Sequence, residues 1–175
     1  GISCESIACK ALNLLTDPVF FCEKLRAARK IIQQSHLPKL IQEDVATRDP
    51  RATPKVDVFF VTFPCQPFSA AGKRDGVHDS RGLLVEKSLE YIRLHTPKAI
   101  IFENVDKILS PKFMPLVEYI KKELTALNYV VHDRVSNVKD YLVPQNRSRW
   151  YMVALEAGSK SLNWPGKLVG GPFPV

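Results

Sequence analysis

Three short stretches carry side chains able to do chemistry. In VTFPCQPFSAAG, residues 61–72, one cysteine stands between two prolines. Val58, Phe59, Phe60, Val61 and Phe63 read as a buried strand, and Pro64 stops it, because proline lacks the amide proton a central strand needs. Cys65 is then presented at the strand's C-terminal end. A thiolate there is a nucleophile, whereas an ordinary free cysteine packs as a small hydrophobe; the stretch alone leaves both open. In ENV, Glu103 follows Ala99, Ile100, Ile101 and Phe102. A carboxylate so placed is expected to be partly buried, with a raised pKa suited to acid–base work; a salt bridge or a charge at a helix N-terminus is the plainer reading. In QNRSR, Arg147 and Arg149 alternate and so point to one face of a strand. They suit either a clamp on developing negative charge or a solvated edge. Strand ends on one edge of a parallel sheet converge, so the thiol, the carboxylate and the guanidinium groups are expected to share a pocket. A cysteine hydrolase is disfavoured, since His36, His78, His95 and His132 have no matching strand-end placement.

The elements that must position these groups alternate between strand and helix patterns. Val19–Cys22 reads as a short strand, Leu25, Ala28, Ile31 and Ile32 as a helical stripe ending before Pro38, and Leu40 and Ile41 as a strand finishing near Asp44. Residues 56–63 form the clearest strand. Leu84, Val85, Leu89 and Ile92 share a helical face closed by Pro97, and residues 99–102 form the next buried strand. Val117, Ile120, Leu124 and Leu127 are spaced for a helix. Tyr129–Val131 begins a strand, and Trp150–Leu155 is the last one. The succession predicts an α/β fold with a mostly parallel sheet and an antiparallel edge hairpin made by the final two strands. No repeat or low-complexity segment is present, and residues 157–175 read as an irregular tail rich in proline and glycine.

Length and composition set the frame. The 175 residues suit one domain, and 45% hydrophobic residues allow a sizeable core. No apolar run approaches the ~18–20 residues of a membrane span, so no membrane partner is expected. Four cysteines without CxxC spacing argue against zinc and against a disulfide framework, which suits a reducing, intracellular compartment. The net charge of +7 favours a polyanionic partner, though solvated lysines would give the same number.

PCQPFS, ENV and QNRSR, in this order and spacing, resemble the cytosine-5 DNA methyltransferases. DSRGLL at 79–84 and LNYVVHDRVSNVKDYLVPQNRSRWYMVAL at 127–155 agree, so the resemblance covers residues 1–156. It implies a Rossmann-like methyltransferase core over 1–156. It also implies transfer of a methyl group from S-adenosyl-L-methionine to carbon 5 of a cytosine flipped out of double-stranded DNA. Carbon 5 is a poor nucleophile until a thiolate adds to carbon 6, which explains the need for an activated cysteine. By resemblance Cys65 is the nucleophile, Glu103 binds and protonates the ring, Arg149 meets the base carbonyl, and Arg147 supports the cysteine loop or the base. Asn104 holds that loop on the substrate side, and Gln66 and Ser69 contact the DNA near the flipped nucleotide. Glu23 takes the ribose hydroxyls of the cofactor and Asp44 its adenine amino group. Pro64 and Leu84 line the cofactor pocket, and Gly1 and Ser3 fall near the methionine part. Compartment follows the organism: nucleus in a eukaryote, cytoplasm in a bacterium.

The chain opens on GISCESIACKAL, a glycine followed directly by a helical pattern, so the sheet is expected to lack its first strand. Ser3 and Cys4 stand where glycines are common in the family, and side chains there crowd a close backbone approach. The tail is expected to lead toward a target-recognition region that this chain lacks, so activity is expected of a longer protein. Two alternatives stay open: a non-catalytic regulatory module of the same fold, and a cytosine methyltransferase acting on tRNA, against which Ser69 counts because it matches the DNA branch.

Overall fold

The computed structural model describes residues 3–64 and 80–168. In chain order the elements are α1 (Cys4–Ala11), β1 (Phe20–Cys22), α2 (Arg26–His36), β2 (Leu40–Gln42), β3 (Val58–Val61), α3 (Ser80–His95), β4 (Ala99–Val105), α4 (Met114–Ala126), β5 (Tyr129–Asn137) and β6 (Ser148–Glu156), with short 3₁₀ turns at Asp106–Leu109 and Val138–Tyr141. They fall into two compact units, residues 1–56 with 86–95, and residues 57–85 with 96–175.

In the first unit β1 and β2 pair in parallel, Phe20 opposite Leu40 and Cys22 opposite Gln42. The crossover is α2, which buries Ala28 and Ile32. Arg29 fixes the strand-to-helix turn: its Nη1 donates to the Glu23 and Lys24 carbonyls at 2.9 and 2.7 Å, and its Nη2 pairs with Glu43 at 2.9 Å. The core of this unit contains a cation. Arg48 is 6% exposed, with its guanidinium 5.0 Å from the Tyr91 ring centre and 5.6 Å from that of Phe20. Aromatic faces replace part of the lost hydration of a buried guanidinium.

In the second unit the strand order is β3-β4-β6-β5. β3 and β4 are parallel; β4–β6 and β6–β5 are antiparallel. The expected antiparallel pair is present with β5 at the edge, but β6 lies between β5 and β4. The sheet is therefore mixed, with one parallel pair in four strands. Alternation sets the two faces. Ile100, Phe102 and Asn104 of β4 are buried together with Trp150, Met152 and Ala154 of β6. Helix α4 adds Val117, Ile120 and Leu124 to the buried set. Trp150 Nε1 donates to Asp133 at 2.9 Å, and Lys121 of α4 pairs with the same carboxylate at 3.2 Å, which ties helix, edge strand and inner strand together. Glu103 and Val105 alternate to the other face.

Candidate active site

The described site is built where the end of β4 meets the beginning of β6. β4 continues past Glu103 to Val105 because the chain keeps pairing with β6: Glu103 lies opposite Tyr151, Asn104 opposite Trp150, and Val105 opposite Arg149. Arg149 therefore stands near the N-terminal start of β6, so the expected convergence of parallel strand ends is not what brings it here. Antiparallel pairing still brings it to the edge where β4 finishes. Glu103 and Arg149 are diagonal neighbours on one face, and Arg149 Nε lies 3.1 Å from Glu103 Oε1, with side chains 19% and 29% exposed. Arg149 Nη1 donates to the Ser148 carbonyl at 2.7 Å. Nη2, among the described residues, takes no hydrogen bond, so the guanidinium keeps donors for another acceptor.

Asn104 points the other way. It is 3% exposed. Its Nδ2 donates to the Phe63 carbonyl at 2.9 Å, and its Oδ1 accepts from the Val105 amide at 2.9 Å. The side chain thus bolts the segment after β3 to β4, two residues before Cys65 in sequence. Its burial gives it a positioning role on that segment.

Arg147 lies one residue before β6 and is exposed. Asn137 fixes its loop. Its Oδ1 accepts from the amides of Lys139 and Arg147 at 3.1 and 3.3 Å, while its Nδ2 donates to Asn146 Oδ1 and Ser148 Oγ, both at 2.8 Å. One side chain closes both ends of the loop. Tyr151 gathers the charges. Burial pushes its phenol up, the Glu103 carboxylate adds to that, and Arg147 and Arg149 pull it back. The structure therefore groups Glu103, Arg149 and Arg147 around Tyr151. The sequence alone reads Tyr151 as an ordinary strand residue and Asn137 as the start of the loop between the last two strands. The signal for Tyr151 was present, since it continues the alternation of Arg147 and Arg149.

The cofactor candidates fall in both units. In the first, Glu23 directly follows β1 and Asp44 follows β2 by two residues. Parallel pairing puts both carboxylates at one edge: the Glu23 amide donates to the Gln42 carbonyl at 3.0 Å, and Lys24 Nζ bonds Asp44 Oδ2 at 2.9 Å. Glu23 Oε1 accepts from the Leu25 amide at 2.8 Å. The Ala46 amide and the Lys24 ammonium hold the Asp44 carboxyl below the usual range. Ser3 is 5% exposed and adopts φ 63°, ψ 55°, a left-handed conformation that glycine takes without strain. Its hydroxyl is folded back on α1, donating to Glu5 at 2.9 Å and lying 3.0 Å from Ser6 Oγ. In the second unit Pro64 is exposed and Leu84 of α3 is half-buried. Gly1, Cys65, Gln66 and Ser69 lie outside the described residues.

Comparison with known proteins completes the assignment. The chain matches the family of C-5 cytosine-specific DNA methylases over residues 1–168. Relatives include the type II methyltransferases M.NlaIV of Neisseria lactamica, 33% identical over 85% of this chain and 35% of that protein, and M.HpaII of Haemophilus parainfluenzae, 39% identical over 65% of this chain and 33% of that protein. The chain thus spans about a third of the length of these relatives. Among solved structures, Schizosaccharomyces pombe (S. pombe) Dnmt2 methyltransferase superposes with a TM-score of 0.76 at 22% identity, covering 93% of this chain and 50% of that one. A Spodoptera frugiperda DNMT2 variant gives 0.73 at 22% identity, over 95% and 50% of the two chains. These likenesses show a methyltransferase fold. Among the described residues no helix is long and apolar enough to cross a membrane. The chain belongs to the C-5 cytosine-specific DNA methylase family.

Proposed function

We propose that this chain is the catalytic core of an enzyme that methylates carbon 5 of cytosine in double-stranded DNA, with S-adenosylmethionine as the donor. The observation that carries the reading is the Glu103–Arg149 pair at the β4–β6 edge, together with the Asn104 bolt on the segment that leads to Cys65. An acid and a guanidinium side by side match the two polar edges of a pyrimidine, its ring nitrogen and its carbonyl oxygen.

The chemistry assigns each group. Cys65, as thiolate, adds to carbon 6 of a flipped cytosine, and the ring's electrons shift toward nitrogen 3. Glu103 holds the proton at that nitrogen. Arg149 stabilises the negative charge growing on the carbonyl oxygen, using the donors left after it binds Glu103 and Ser148. Arg147 supports the same base or its loop. Gln66 and Ser69 hold the DNA strand beside the flipped nucleotide. After methylation, loss of the proton on carbon 5 expels the cysteine sulfur and restores the ring.

The residues present fit the donor. Asp44 is held ionised by Ala46 and Lys24, so it is an acceptor for an adenine amino group. Glu23, at the same edge, suits ribose hydroxyls, while Gly1, Ser3, Pro64 and Leu84 complete the set proposed to hold it. When bound, S-adenosylmethionine supplies the methyl group to carbon 5.

The test is labelled methyl transfer to duplex DNA by the full-length protein, beside trapping on DNA carrying 5-fluorocytosine. Fluorine at carbon 5 blocks the final elimination, so the cysteine adduct accumulates. Wild type should transfer and trap, and Cys65→Ser should do neither while melting normally. Transfer retained in Cys65→Ser overturns the mechanism. A fully folded wild type that neither transfers nor traps favours the regulatory module.

A further inference from the structure

Past β6 the chain does not run free. In the second unit it returns to β5 and the turn after it and is gripped by Arg134. That guanidinium does three things at once. It lies 5.3 Å from the centre of the Trp164 ring, its Nη1 donates to the Pro165 carbonyl at 3.3 Å, and its Nη2 donates to the Tyr141 hydroxyl at 2.8 Å. Tyr141 in turn donates to the same Pro165 carbonyl at 3.4 Å. Two residues on, Lys167 Nζ pairs with Asp140 Oδ2 at 3.0 Å, and the Leu168 amide donates to the Asp140 carbonyl at 2.9 Å. Four polar contacts and one cation–π contact hold a segment whose composition predicts loose linker.

The place of the grip matters. Arg134 is the register partner of Tyr151, and Tyr151 is the register partner of Glu103. The three form one row across β5, β6 and β4, on the face that carries Arg149. Tyr141 and Asp140 belong to the turn that leads into the Arg147 loop, and Tyr141 acts electrostatically on Tyr151. The outgoing strap therefore contacts the turn that leads into the arginine loop, through Tyr141 and Asp140. A guanidinium is suited to this: its planar fork can stack on a ring and still donate in two directions.

We propose that Arg134 is a positioning residue for the Glu103–Arg149–Arg147 group, acting through Tyr141, and that the strap from Trp164 to Leu168 is what holds it in place. The inference rests on the proposed methyl transfer. It assigns the strap a task in the reaction: whatever releases Trp164 loosens the arginine loop and slows the chemical step.

The experiment uses Arg134→Ala, Arg134→Lys, Trp164→Ala and the double variant of Arg134 and Trp164 to alanine, in the full-length protein. Trp164→Phe identifies the Trp164 part of the fluorescence. Acrylamide quenching of that part should rise about twofold or more in Arg134→Ala, as the ring loses its cover. The kcat for methyl transfer should fall roughly tenfold in Arg134→Ala and in Trp164→Ala, with KM for S-adenosylmethionine unchanged, the scale expected when reacting groups are misplaced slightly. The double variant should lose no more than either single one, because both remove the same grip. Arg134→Lys should restore part of kcat but not the shielding of Trp164. If Arg134→Ala does not fold, Trp164→Ala carries the test without altering the sheet. Unchanged quenching overturns the grip. Raised quenching with unchanged kcat in an active enzyme overturns the positioning role alone. An inactive wild type overturns the methyl-transfer reading and this inference with it.

Discussion

Asn104 gives the sharpest test of how the site is held. Replacing it with alanine removes two hydrogen bonds of 2.9 Å, one to the Phe63 carbonyl and one from the Val105 amide. At 3% exposure no water easily replaces them. Leaving a buried carbonyl unsatisfied costs roughly 1–3 kcal/mol, and a lost hydrogen bond to a partly exposed amide adds about 1 kcal/mol. The expected destabilisation is therefore about 2–4 kcal/mol, or a fall in Tm of roughly 5–12 °C for a chain of this size. Asn104→Asp sharpens the point, because it keeps the shape and the acceptor but sets a carboxylate oxygen against the Phe63 carbonyl oxygen. It should be at least as destabilising as alanine at neutral pH and should recover toward wild type as the carboxyl is protonated in acid. Thermal melts followed by near-ultraviolet circular dichroism, across pH 4 to 8, read both. A melting temperature for Asn104→Ala within about 1 °C of wild type would refute the bolt, since even one unsatisfied buried group is worth more. Loss of methyl transfer in a variant that still melts cooperatively would place its effect on the segment leading to Cys65.

Three further outcomes are expected. Glu103→Gln keeps a hydrogen-bond acceptor for Arg149 but loses the proton-holding carboxyl, so kcat should fall by about 10²-fold or more; its melting temperature should move little, because a partly exposed ion pair is worth about 1 kcal/mol or less. Thr96 has φ 43°, a strained value for a β-branched residue just after α3, and Thr96→Gly should stabilise the protein by about 1 kcal/mol in urea unfolding. Burial pushes the Cys22 thiol up to about 11 from 9.0 and the Tyr91 phenol up to about 12 from 10.0. Both groups hold their protons more tightly when folded, so their contribution is complete below pH 9 and is lost as pH rises through 11 to 12. At pH 8 a thiol reagent should accordingly label exposed Cys4 well before Cys22, and equal rates would contradict that burial.

The sequence by itself determined the succession of strands and helices, because apolar runs and proline stops are local signals that follow each residue along the chain. It placed β1, β2, β3 and β4 within a residue or two at most ends, and it singled out Glu103 and Arg149 by type. Through the resemblance it also marked Glu23 and Asp44, each close behind an apolar strand. It did not determine who stands beside whom. Only the tertiary structure inserted β6 between β4 and β5, and that insertion turns two residues 46 positions apart into an ion pair of 3.1 Å. The same pairing kept β4 going past Glu103, where a purely parallel strand would have ended. Asn104, Asn137 and Tyr151 gained their roles in the same way: each acts through a partner that the strand register, a long-range property, brings within reach. The segment after β6 shows the limit most clearly. Its composition says linker, yet Arg134 and Asp140 hold it, because hydrogen bonds to a preformed sheet fix a chain that has no regular structure of its own.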